Sequence, residues 1–71
     1  MNRQMELRHL ELADRHIAEG EQRIAAQLDL VERMRGREQP LASAEHLLEL
    51  LRSTMVEWRR HRSMIVAALA E

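Results

Sequence analysis

Four histidines, one tryptophan and no cysteine are the side chains with which this chain could do unusual chemistry. His9 and His16 are seven residues apart, a spacing that puts both on one face of a helix. Folding the two halves of the chain together as a hairpin brings His61 opposite His16. Two facing imidazoles could share a metal ion or a proton. Glu6-Leu7-Arg8-His9 has the E-x-x-H spacing of di-iron bundles, in which a glutamate and a histidine on successive turns ligate one metal. Such a site needs the same motif on a second helix, and Glu6 and His9 fall at a helix end with no counterpart opposite. Metal candidates therefore reduce to His16 and His61, and ordinary polar packing is the simpler expectation for both. No cofactor is expected.

Other chemistries find less support. The stretch from Glu57 to Arg62 resembles the H-box of one group of sensor kinases in its upstream glutamate and in the arginine that follows His61. Its spacing departs from that box, and no ATP-binding domain accompanies it, so phosphotransfer at the His16/His61 level stays an alternative reading. There is no glycine-rich phosphate loop or nucleophile elbow, and Ser43, Ser53 and Ser63 lack a base and an orienter placed by sequence. The chain is expected not to be an enzyme. Arg59, Arg60 and Arg62 make a local basic patch, but acidic residues surround it and only Trp58 could stack on a base. A Rop-like RNA-binding four-helix bundle is accordingly a second alternative, and nucleic acid is not the expected partner.

These side chains must be positioned by helices. Leu, Glu, Ala, Arg and Gln dominate, whereas aromatic residues make up 1% of the chain. In the second half Ala44, Leu48, Leu51, Met55, Trp58, Arg62, Ile65 and Leu69 alternate steps of four and three. In the first half Leu10, Ala13, Ile17, Gly20, Ile24, Gln27, Val31 and Met34 do the same. Gly36 and Pro40 separate the two seams. The spacing predicts an all-α, coiled-coil-type antiparallel two-helix hairpin in a single domain over 1–71. Its elements are a helix over about 3–35, a turn over about 36–40 and a helix over about 41–70. Asn2 can cap the first helix, and Gly36 suits a left-handed residue ending it. The second helix can begin with Pro40 at its first position or with Ser43 as the cap.

Pairing the seams gives a register. Leu10 faces Leu69, Ala13 faces Ile65, Gly20 faces Trp58, Ile24 faces Met55, Val31 faces Leu48 and Met34 faces Ala44. Three of these layers oppose a small residue to a larger one, as a tight core requires. A mid-helix glycine costs about 1 kcal/mol relative to alanine, so the indole of Trp58 over Gly20 supplies a compensating reason. Glu21 falls near Arg59 and Arg35 near Glu45. Gln27 and Arg62 are polar breaks in otherwise apolar seams, a device that fixes register or oligomeric state. Arg62 faces Ile17, with Asp14 and Glu21 one turn to either side as ion partners.

Leu12, Leu28, Leu30, Leu47, Leu50, Met64 and Val66 lie outside the seams and are dimer-interface candidates, because one helix pair cannot cover them. Seventy-one residues also bury little apolar surface in one hairpin. A homodimer packing as a four-helix bundle is therefore expected. Charged residues are 32% of the chain with a net charge of -1, which leaves no basic field for nucleic acid. No apolar run reaches the roughly 18 residues of a membrane span, and the polar start lacks a signal-peptide core, so no membrane partner and a prokaryotic cytoplasm are expected.

The pattern of Leu10, His16-Ile17-Ala18, Gly20-Glu21, Ile24, Gln27 and Val31, followed by Ala44, Leu47-Leu48 and His61-Arg62, resembles a group of short alphaproteobacterial helical-hairpin proteins of unknown function. The resemblance covers nearly the whole chain and implies the hairpin fold without any activity, ligand or catalytic residue. The expected function is a small non-enzymatic interaction module, a homodimeric adaptor or regulator that binds a protein partner.

Overall fold

The computed structural model describes residues 2–71. Helix α1, Arg3–Gly36, and helix α2, Ala42–Leu69, run antiparallel as a hairpin 53 Å long. That length is close to the roughly 51 Å rise of a 34-residue helix, so α1 is straight and the hairpin is one layer of two helices. Every seam position read from the sequence is buried or partly buried. Among the described residues the buried core is small, namely Ala13, Val31, Leu48, Met55 and Ile65.

Each helix end has a local explanation. Asn2 is extended, and its side-chain oxygen accepts a hydrogen bond from Met5 N, satisfying one of the donors that the first turn leaves free. At the open end of the hairpin, Arg3 Nη1 donates to Leu69 O at 3.0 Å. The last turn of α2 has no basic residue of its own, so α1 supplies the cation that its free carbonyls favour.

The turn departs from expectation at two places. Gly36 is the last residue of α1 and does not have a positive φ; the left-handed residue is Glu38, at φ 56. Gln39 N donates to Met34 O and Glu38 N donates to Arg35 O, the pair of bonds that defines a Schellman cap with Glu38 at its left-handed position. The second departure is the start of α2. It begins at Ala42 after Leu41 and makes no side-chain cap, so neither Pro40 nor Ser43 takes the role open to it. Leu41 is half-buried instead, and its carbonyl accepts from Glu45 N.

A left-handed residue with a Cβ costs about 1–2 kcal/mol, and glycine returns about 0.5–1 kcal/mol of that through its freer unfolded chain. Glu38→Gly is therefore expected to stabilise the hairpin by roughly 0.5 kcal/mol. Gly36→Ala should add about 0.4–1 kcal/mol, because a Cβ there meets no atom within 4 Å. Thermal melts of the two variants at one protein concentration check both, and a lowered midpoint for Glu38→Gly would refute the strain.

Candidate functional site

The side chains singled out for chemistry gather around Trp58. Its ring makes an edge-on contact with His16, with centroids 4.2 Å apart and planes at 78°. It makes a second one with His61 on its own helix, at 5.8 Å and 74°. Trp58 thus takes the place opposite His16 that the sequence register assigned to His61. His61 instead lines a shallow cleft near the open end with Glu6, His9, Met64 and Ile65. Glu6 and His9 approach to 3.7 Å within α1. Among the described residues, no three His, Cys, Asp or Glu side chains come together as a metal site. His16 Nδ1 is buried and has no hydrogen-bond partner.

Gly20 shows the same displacement. A Cβ at this position would lie 2.5 Å from Met55 Cε and would meet no atom of Trp58 within 4 Å. The recess over Gly20 is therefore filled by the end of the Met55 side chain, not by the indole. Both corrections are one shift. Where the register predicted Gly20 against Trp58 and His16 against His61, the structure has Gly20 against Met55 and His16 against Trp58, three residues earlier along α2 each time. The physical reason is shape. A slender thioether can enter the gap above a glycine, whereas the wider indole packs edge-on against an imidazole.

The polar seam residues find partners. Arg62 Nε donates to Asp14 Oδ1, with both side chains about half exposed, which selects Asp14 from the two expected carboxylates. Gln27 Nε2 donates to Ala44 O at 2.9 Å, tying α1 to the first turn of α2. A backbone carbonyl leaves no mark in side-chain spacing, so the sequence carries no sign of this bond. Glu21 and Arg59 pair at 3.0 Å and Arg35 and Glu45 at 3.7 Å, as the register indicated.

These ion pairs make the hairpin asymmetric. Among the described residues, all three interhelical pairs, Asp14–Arg62, Glu21–Arg59 and Arg35–Glu45, stitch one flank of the helix pair. The other flank carries His16, Trp58 and His61. A groove of about 210 Å³ runs there between the helices, lined by His16, Glu19, Gly20, Arg23, Thr54 and Trp58 among others. All seven dimer-interface candidates are exposed on the hairpin. Leu30 and Leu47 line a cleft continuous with that groove through Arg23 and Leu51, and Met64 lines the cleft at the open end. Leu12 and Leu50 share this flank by helical period, seven residues before Glu19 and seven before Glu57. Leu28 and Val66 fall on the ion-paired flank, Leu28 in a cleft with Arg35 and Glu45, and Val66 seven residues after Arg59.

No helix among the described residues is long and apolar enough to cross a membrane. Comparison with protein-family models, with curated proteins and with solved structures finds no match to this chain.

Proposed function

We propose that this chain is a non-enzymatic helical interaction module that works as a homodimer and presents the outer surface of a four-helix bundle to a protein partner, as an adaptor or regulator. One observation carries the reading. Among the described residues, ten large apolar side chains are exposed on a hairpin whose buried core is five residues. A core that small supplies only a few kcal/mol against the conformational entropy of 71 residues. Covering the exposed leucines and methionines with a second copy removes both difficulties at once, since a two-fold dimer buries each patch twice.

The solution mass tests this reading. Sedimentation equilibrium from micromolar to millimolar protein is expected to give twice the chain mass, with a melting midpoint that rises with concentration. A monomer that melts cooperatively, at a midpoint independent of concentration, would overturn the proposal.

A further inference from the structure

The flank without interhelical ion pairs has an order of its own. Along α1 it presents Leu12, Glu19, Arg23 and Leu30, which are symmetric in place about position 21, with the two leucines alike and Glu19 and Arg23 opposite in charge. Leu12 and Leu30 lie nine residues to either side, Glu19 and Arg23 two. Along α2 the midpoint is Thr54, which lines the same groove as Gly20 and Arg23. Leu50 and Trp58 lie four residues to either side of it.

A surface of this kind fits a copy of itself turned end for end. A two-fold axis crossing the flank at right angles to the helices lays α1 on α1 and α2 on α2, each antiparallel. Leu12 then meets Leu30 of the second copy, Leu50 meets Trp58, and Glu19 meets Arg23 twice by symmetry. The alternative axis, parallel to the helices, keeps the two hairpins pointing the same way and lays α1 of each on α2 of the other, helices again antiparallel. Glu19 and Glu57 stand at nearly the same height on the hairpin, flanking Trp58 in adjoining clefts. The parallel arrangement therefore stacks carboxylate on carboxylate twice, at the centre of the interface where like charges are most costly. Glu19 and Arg23 are about half and two-thirds exposed and lie 3.8 Å apart within α1, so both can turn to a partner. The 53 × 14 Å outline of the hairpin offers roughly 700 Å² per copy, near the ~800 Å² of a standard stable interface.

We propose that the flank bearing Trp58 is the self-association surface, and that two copies pack on it antiparallel with Glu19 of each against Arg23 of the other. The inference rests on the homodimer reading and adds its face and direction.

Charge reversal and cross-linking decide it. Glu19→Arg is expected to weaken the dimer about tenfold or more by facing Arg23 of the second copy. Mixed with an Arg23→Glu chain, it should form the heterodimer in preference to either homodimer. In the parallel arrangement Glu19→Arg would face Glu57 and tighten the dimer, an outcome that overturns the direction and leaves the homodimer standing. Thr54→Cys gives the second measure, because the chain has no cysteine of its own. Oxidised with diamide while folded, it should form the interchain disulfide at least about ten times faster than Val56→Cys, which by helical period shares the ion-paired flank, seven residues after Glu49 in the cleft of Leu28, Arg35 and Glu45. Equal rates, with the protein dimeric, would overturn the choice of face. A wild-type chain monomeric at every concentration would overturn this inference and the homodimer reading together.

Discussion

Met55→Ala is expected to unfold most of the protein. Met55 is one of five buried residues, and its methyl end fills the recess above Gly20. Truncating a buried methionine costs about 2–5 kcal/mol through lost transfer energy and the cavity left behind. A domain this small has only about 3–5 kcal/mol from its core, so one side chain of this kind decides whether it folds. Urea melts followed by far-ultraviolet circular dichroism, at a fixed protein concentration, check the loss. The contact with Gly20 adds a sharper test. In the native background Gly20→Ala gains about 1 kcal/mol of helix propensity but forces Met55 aside, at an overpacking cost of about 1–3 kcal/mol. It should be neutral or destabilising. In the Met55→Ala background the new methyl enters an empty recess, and the same substitution should stabilise by about 1 kcal/mol. Equal effects in the two backgrounds would show that Met55 does not occupy the recess.

The second large effect is expected at Leu47→Glu. Leu47 is about half exposed on the flank that carries Trp58, so within one hairpin the change should cost little. In a two-fold dimer the substitution occurs twice, and each leucine forfeits about 1.5–3 kcal/mol of burial. Dissociation should increase about 10²- to 10⁴-fold, with a fall in melting temperature that more protein partly reverses. Val56→Glu on the ion-paired flank, where Val56 is 55% exposed, is the control, and should shift stability by no more than about 0.5 kcal/mol. Sedimentation of the two variants side by side separates these outcomes, and equal dissociation would count against the face.

Where the expectations and the structure part, they do so by direction. Around the helix axis the seam spacing and the burial agree, with Glu6, His16, Glu19, Leu41 and Ala68 partly buried beside the seams. Each of the sixteen seam residues is buried or half-buried, and the seven apolar residues placed outside the seams are all exposed. The ion pairs Glu21–Arg59 and Arg35–Glu45 were also legible. Their side chains are long enough to span a turn, so an axial error of that size does not break them. Along the axis the contacts differ from the seam pairing. Gly20 meets Met55 and His16 meets Trp58, each three residues from the expected partner. At the level where His16 was expected to meet His61, Trp58 makes edge-on contact with both histidines.

The turn illustrates the same limit on a smaller scale. Gly36 carries the residue type that favours a left-handed cap, yet the chain continues its helix through Gly36 and places Glu38 there. The length of chain needed to bring α2 back onto the seam outweighs a local preference of about 1 kcal/mol. Gln27 finds a backbone carbonyl, an acceptor that every residue has and that no side-chain pattern can locate.

The sequence by itself determined the helices, their antiparallel pairing, the residues on each face and the Asn2 cap, because a 3.6-residue period converts spacing directly into direction around an axis. Only the tertiary structure decided the axial offset, the filling of the Gly20 recess, the partners of Trp58 and the flank closed by ion pairs. A heptad seam repeats itself along its length, so neighbouring registers present nearly the same apolar pattern. What separates them is the shape of individual side chains in contact, and shape in contact exists only once both helices are packed.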